Sequence, residues 1–295
     1  MRLSKTTEDR VLDTFVTVML SFIGFITLYP LVYVFSMSIS DPSAVISGRV
    51  ILWPVGFSLE SYRKVVSYAA FWLGYQNTVI YTVLGSAISV ICTVMCGYAI
   101  SRKHFVLKKF VSYIMLTTML FSGGVVPGFI IINNLGMYNT RWAIVLPGAV
   151  GAFNLIITRV FFQQNIPESI EESAKIDGAN DLKILLKIIV PLSTTIIAIL
   201  TLFTAVGHWN SYFPALLYLR NEKLRPVQLV LRDIALRNST TGLFAQDETM
   251  IAQQMQFMVQ IKYVTIFLTL LPILMLYPFL QKYFVKGVMI GAVKE

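Results

Sequence analysis

Residues 171–191 read EESAKIDGANDLKILLKIIVP. The stretch is charged at its start, broken by Asp177-Gly178 and closed by Pro191, yet apolar runs of membrane-spanning length lie on both sides of it. A helix needs about 20 such residues to cross the hydrocarbon core. Working outward, runs of that kind occupy residues 142–162 and 188–207, then 110–132, 74–100, 14–37 and 263–283. They predict six transmembrane helices in an all-α polytopic membrane protein. Composition agrees: the 295 residues are 56% hydrophobic and only 13% charged, against roughly 25% charged in a typical soluble chain.

The net charge of +9 sits mainly in short loops beside the apolar spans. That is the pattern of the positive-inside rule and not of a nucleic-acid surface. The short basic loop SRKHFVLKK, residues 101–109, sets the direction: both termini and the opening stretch face the cytoplasm. Residues 1–13 then form a cytoplasmic N-terminus and residues 14–295 a single transmembrane domain. Its cytoplasmic loop is 163–187, and its extracellular segments are 38–73 and 208–262. The run after Asp13 is too long for a signal-peptide core and lacks a small-residue cleavage site. Cys92 and Cys96 share one apolar run and read as small buried residues.

Both outer segments are longer than ordinary connections. Residues 38–73 carry Trp53, Pro54 and the amphipathic SLESYRKVV, while residues 208–262 carry PVQLVLRDIALRN and a polar stretch with Gln246, Asp247 and Glu248. Contact with an external partner and packing over the helices both fit. Within the spans, FSGGVVPG at residues 121–128 predicts a true interruption, which membrane depth tolerates only where protein or water satisfies the backbone. Pro147-Gly148, Pro272 and Pro278 read as ordinary kinks.

The polar loop has a local logic of its own. Asn165-Ile166-Pro167-Glu168 predicts a helix start with an Asn cap, Pro in the first turn and Glu at the capping-box position. Glu171 and Lys175 are spaced as an i,i+4 pair. Ile166, Ile170 and Ala174, with Ser173 alongside, form a narrow face of mostly small side chains. Gly178 after Asp177 supplies the left-handed residue that ends a helix, and Asn180 caps a second helix that runs into the fifth span, with Pro191 at the junction. Glu168, Glu171 and Glu172 against the single Lys175 argue against a resting place on an anionic bilayer, which selects a basic polar face. The expected role is docking into a groove on another protein.

These residues resemble the cytoplasmic signature of importer permeases of the ATP-binding cassette class, E-A-A, three residues, G, nine residues, I-x-L-P. Here Glu172-Ser173-Ala174, Gly178 and Ile188-Ile189-Val190-Pro191 stand at those spacings, with Ser173 for Ala and Val190 for Leu. EESAKIDGA is similar to the EEAARIDGA form found in carbohydrate importers. FTAVGHWNSYFPALLYL, with Trp209, Asn210 and Pro214, and the ending GVMIGAVKE extend the likeness, Glu295 replacing a Gly. FSGG with VP, followed by NNLGMYNTRWAIVLPGA, resembles the subgroup that handles complex oligosaccharides.

The resemblance implies a type I importer permease fold in a bacterial cell membrane and a role in carbohydrate uptake. It implies four partners: a second permease subunit, two cytoplasmic ATP-binding-cassette subunits and an external sugar-binding protein. Glu171, Glu172, Ser173, Ala174, Asp177, Gly178 and Pro191 would belong to the ATPase coupling loop. Gly287, Gly291, Val293 and Lys294 would belong to a tail at the ATPase interface. The chain has no GxxxxGK[ST] phosphate loop, so ATP and Mg are expected on the partner subunits, with no cofactor, metal or catalytic residue on this one.

Candidates for the substrate pathway are the polar or aromatic Asn77, Asn133, Asn154, Arg159, Trp209, Asn210 and Tyr212. Hydrogen bonding between helices competes as the explanation of each buried polar group. The outer Arg141, Arg220, Arg225, Arg232 and Arg237 fit either an anionic oligosaccharide or an acidic face of the binding protein. An intramembrane enzyme fails on inventory, since His104 and His208 are far apart and neither HExxH nor GxSxG occurs. An ion-coupled carrier would embed acidic residues at mid-depth, and no predicted span contains Asp or Glu. A similar importer permease for another solute stays open.

Overall fold

The computed structural model describes residues 7–240, 259–276 and 278. Among these the regular secondary structure is helical, with turns and loops between the helices and one isolated antiparallel bridge between Ser40 and Phe57. The described residues divide into two compact units, 7–69 with 231–240 and 259–271, and 70–230 with 272–276 and 278.

The first unit opens on α1 (Thr7–Ile39), whose 33 residues reach about 50 Å at 1.5 Å per residue. Its apolar side chains from Val11 to Ile26 are largely exposed, as lipid-facing residues are. At its far end the chain turns back through α2 (Pro42–Ile46) and α3 (Glu60–Val66). Asp41 caps α2, its carboxylate accepting the Ser43 amide at 2.9 Å. Ser36 Oγ donates to Leu52 O at 2.6 Å, and the Val55 amide donates to Ser40 Oγ at 3.1 Å. Met37, Ala44, Val45 and Val50 form a small core with Tyr33, Val259 and Tyr263. Much of segment 38–73 therefore packs on its own unit. Trp53 and Phe57 nevertheless stay exposed.

The second unit is built on α4 (Ala69–Ser101), the longest apolar helix in it. Then come α5 (Lys108–Leu120), α6 (Val125–Asn134), α7 (Trp142–Val145) and α8 (Ala152–Asn165). The polar loop supplies α9 (Glu168–Ile176) and α10 (Asp181–Leu192), followed by α11 (Thr194–Trp209), α12 (Phe213–Tyr218) and α13 (Val227–Thr240), which from Leu231 on belongs to the first unit. The last described helix, α14 (Val259–Leu276), belongs to the first unit as far as Leu271.

Among the described residues three helices, α1, α4 and α14, are each long and apolar enough to cross a membrane, and the bent pair α10–α11 qualifies together. The other predicted spans are not single rods. The interruption expected at 121–128 is present: α5 stops at Leu120 and α6 starts at Val125, with Gly124 at φ +82°. Pro147-Gly148, expected to be a simple kink, is a full break between α7 and α8, because Gly148 sits at φ +73°, outside the helical region. The span expected at 188–207 is also divided. The chain turns by 82° between α10 and α11, so the junction falls at Ser193, two residues beyond Pro191.

Sequence explains that displacement. Pro191 has no amide to donate, which leaves a hole in the helical ladder. The preceding residues, Leu185–Ile189, are wound as a π helix. Ser193 then closes only a short turn to Val190 O at 3.1 Å, and its hydroxyl donates to Ile189 O at 2.6 Å.

Candidate functional site

The polar loop is a self-capped pair of helices. At the end of α9 the Ala179 amide donates to Ala174 O at 2.9 Å, and the Gly178 amide donates to Lys175 O at 3.0 Å. Those two bonds with Gly178 at φ +76° make a Schellman stop, which needs a left-handed residue at that place. Asn180 Oδ1 accepts the Lys183 amide at 2.9 Å and caps α10, as its position suggested.

The start of α9 differs from expectation. Asn165 is the last residue of α8, and its side chain donates back to Phe161 O at 3.0 Å. It cannot cap the next helix, so no capping box forms. Pro167 occupies the cap position without a side-chain bond. Glu168 reaches instead to Lys103 Nζ, at 2.8 Å.

The small apolar face also points inward. Ile166 and Ala174 are buried with Val94, Tyr98, Phe162, Ile184 and Leu185. A methyl at 174 is what this contact with the body of the chain accommodates. The surface left open on α9 and its turn is Glu172, Ser173, Ile176, Asp177 and Gly178, with Leu182 on α10. Ile176 is 86% exposed, an apolar side chain in water at the tip of the loop. Pro191 lies inside α10, away from that tip.

Charge ties the loop to residues 102–103. Arg102 Nε lies 3.4 Å from Glu171 Oε2, both side chains being nearly buried. Lys175 Nζ is 2.9 Å from Glu171 Oε1 and 3.4 Å from Asp181 Oδ1. The Lys103 hydrogen bond holds the Glu168 carboxyl below its ordinary range, and Glu168 in turn raises Lys103. Glu171 does the same to Lys175. Between Tyr98, Arg102 and the carboxylates of α9 lies a cavity of about 510 Å³. Arg102 and Lys103 counted only as orientation signals in the sequence; their spacing from Glu168 and Glu171 is tertiary and leaves no local pattern.

The pathway candidates are held by different neighbours. Asn77 is 1% exposed. Its Nδ2 donates to Lys223 O at 2.8 Å and Arg225 O at 3.2 Å, and its Oδ1 accepts from Arg141 Nη2 at 3.4 Å. Every polar function of Asn77 is thus engaged with protein, which assigns it to holding the chain at 223–225. Arg159 Nη1 donates to Ser112 Oγ at 3.0 Å, linking α8 to α5. Asn154 is half-buried in the first turn of α8, and Asn133 is exposed in the last turn of α6. Trp209 is buried, edge-on to Tyr75 at 5.6 Å between ring centroids. Asn210 donates to Val206 O at 3.0 Å, and Tyr212 is exposed beside Phe213.

Thr78, Tyr81 and Asn139 were missed from sequence. Tyr81 Oη donates to Leu224 O at 2.7 Å, and Thr78 Oγ1 accepts the Val227 amide at 2.8 Å. Asn139, itself at φ +58°, accepts the Arg220 and Asn221 amides at 3.0 and 2.7 Å. With Asn77 they fasten residues 220–227. Arg225 pairs with Glu222 at 3.2 Å, and Arg232 lies 3.8 Å from Asp233. Arg220 and Lys223 have exposed side chains. Gly287, Gly291, Val293 and Lys294 lie outside the described residues, as do Gln246, Asp247 and Glu248.

Broken apolar helices carrying a polar, self-capped helix pair describe an integral-membrane component. The chain belongs to the family of binding-protein-dependent transport system inner membrane components, whose model matches residues 89–290; its members are transporter permease subunits and not enzymes. It is 38% identical to the polygalacturonan/rhamnogalacturonan transport system permease protein YtcP of Bacillus subtilis (strain 168), over 97% of this chain and 99% of that one. It is 36% identical to protein LplC of the same organism, over 98% and 97% of the two chains. It also superposes, with a TM-score of 0.84 and 35% identity over 96% of its length and 99% of the other, on a chain of a bacterial ABC transporter involved in the import of the acidic polysaccharide alginate.

Proposed function

We propose that this chain is the permease subunit of an ATP-driven importer of an acidic oligosaccharide. The observation that carries the reading is the near full-length likeness to an importer of an acidic polysaccharide, supported by the polysaccharide transport permease at 38% identity. On the chain itself, Arg220 and Lys223 stand exposed on a segment fastened by Asn77 and Asn139. A fixed cationic rim of that kind attracts carboxylated substrates and speeds their capture.

In this reading six spans cross a bacterial cytoplasmic membrane, with residues 1–13, loop 163–187 and the C-terminus inside, and segments 38–73 and 208–262 outside. The third, fourth and fifth crossings are broken helices. A second permease subunit completes the pore, an external or periplasmic binding protein delivers the sugar, and two ATPase subunits hold ATP and Mg. Glu172, Ser173, Asp177 and Gly178 present the docking surface to an ATPase subunit. Ile176 joins them as its apolar anchor, Glu171 and Ala174 act from behind it, and Pro191 places the bend toward α11. Gly287, Gly291, Val293 and Lys294 reach the ATPase interface. Asn133, Asn154, Trp209, Asn210 and Tyr212 remain candidates for the sugar path.

The test is uptake into proteoliposomes holding the complete transporter and its binding protein. Acidic oligosaccharides should enter with ATP and not without it, and neutral ones of equal length should enter at least tenfold more slowly. Equal uptake of both removes the acidic assignment; uptake without ATP removes the importer reading. Ile176→Asp should lower ATP-driven uptake about tenfold, as loss of a buried apolar anchor at an interface does, while the purified permease keeps its melting temperature.

A further inference from the structure

We infer that Arg102 and Glu171 form a strut through which movement of α9 reaches α4, and that both are positioning residues for coupling. The inference rests on the importer reading above. Arg102 immediately follows Ser101, the last residue of α4. Its guanidinium carbon stands 4.9 Å from the Tyr98 ring centroid, one helical turn back. From there Nε approaches Glu171 Oε2 to 3.4 Å, and Nη1 donates to Ile166 O at 3.5 Å. One planar group therefore touches α4, the link before α9, and α9 itself. Glu171 is oriented from its other side, where Oε1 takes Lys175 Nζ at 2.9 Å.

The energetics argue that this pair sets position. Arg102 is 8% exposed and the Glu171 side chain 12%, so both charges have lost most of their water. Removing two charges from water costs several kcal/mol each, and apolar residues of equal size often hold such a place as well or better. The pair is also not in its tightest geometry: Arg102 Nε and Nη2 and Glu171 Oε2 are buried without an aligned hydrogen bond. A group arranged in this way is a poor staple. What it provides is direction, because a guanidinium held over a ring meets a carboxylate only at one place.

The other contacts of α9 cannot do the same. Ala174 and Ile166 pack against Val94, Tyr98 and Phe162, and apolar packing is non-directional. Lys103 with Glu168 is largely exposed, where such a pair contributes little and moves freely. The covalent route leads through α10 and the 82° bend to α11. The strut adds a second route, to α4. Coupling requires a free-energy difference between conformations that is felt at both ends, and two routes deliver a displacement of α9 to two helices at once.

The experiment compares sugar molecules imported per ATP hydrolysed in the complete reconstituted transporter. Arg102→Met alone strands a buried carboxylate and should reduce the amount of assembled complex. The double substitution Arg102→Met with Glu171→Met removes both charges and keeps the volume, so assembly and melting temperature should return to those of the wild type. If the pair is a strut, the ratio in the double variant stays at least fivefold below wild type, within the usual span of a coupling effect. If the double variant assembles and imports at the wild-type ratio, the pair merely fills space and the inference is overturned. Should the wild-type complex itself import without ATP, the importer reading falls and takes the strut with it. Coupled wild type beside an equally coupled double variant removes the strut alone.

Discussion

Two irregular segments of the second unit are fastened to the same helix, α4, by opposite chemistry. Residues 166–181 are tied at its C-terminal end by Arg102 and Lys103 meeting Glu171 and Glu168. Residues 220–227 are tied near its N-terminal end by Asn77, Thr78 and Tyr81, through neutral hydrogen bonds to backbone groups. The difference follows from the surroundings. Asn77, Thr78 and Tyr81 lie inside an apolar run, where an unpaired charge is costly and backbone groups need partners, and the Arg141 guanidinium also reaches Asn77 Oδ1 at 3.4 Å. On the polar loop the Lys103–Glu168 pair is largely exposed, and the Arg102–Glu171 pair is nearly buried. Hydrogen bonds to backbone thus hold residues 220–227, and ion pairs hold the polar loop.

Substitutions test this contrast most strongly in the buried parts. Ala174→Arg should have the largest effect. The position is 7% exposed and packed in the core under α9, so a guanidinium there has neither room nor partner and costs about 3 kcal/mol or more. Thermal unfolding of the purified permease, with proteolysis of the loop, reports it. An unchanged melting temperature would place the methyl on the docking surface after all. Asn77→Leu should come second, because Lys223 O and Arg225 O would lose their buried donor, at about 2 kcal/mol. Cleavage within 220–227 by an added protease should become severalfold faster, with the polar loop unaffected. Tyr81→Phe removes only the bond to Leu224 O and should cost about 1 kcal/mol.

Much of the polar loop was readable because its signals are local. Asp177-Gly178 ends one helix and Asn180 begins the next through bonds that span a few residues. The interruption at Gly124 was readable for the same reason, since a cluster of Gly and Pro has few helical solutions. Tertiary relations were not readable. Asn165 looked like a cap, but α8 claimed it by running to that residue. Ala174 looked like an outward face, yet which side of α9 is covered depends on Phe162 and Tyr98, far away in sequence. Asn77 left sugar contact and hydrogen bonding within the protein both open, and the carbonyls it meets lie 146 and 148 residues on. The bend was misplaced by two residues because Pro191 marks a weakened ladder without saying which following residue gives way.

Acid and salt give the smallest and most selective test. The Lys103 hydrogen bond holds the Glu168 carboxyl below its ordinary value of 4.5. A depressed carboxyl contributes stability above its unfolded value and loses it as pH falls through the folded one. Lys103 and Lys175 are raised above 10.5 by Glu168 and Glu171, so their contribution is complete below 10.5 and is lost as pH rises through the raised values. The Lys103–Glu168 tie is therefore whole between 4.5 and 10.5, whereas Asn77 and Thr78 do not titrate at all. Amide exchange corrected for intrinsic rate should show residues 166–181 losing about twofold in protection when pH drops from 7 to 4, or when salt reaches about 1 M and screening shortens to about 3 Å. Residues 220–227 should not change. Equal loosening of both segments would mean that charge does not distinguish them, and that the polar loop is held by its apolar underside alone.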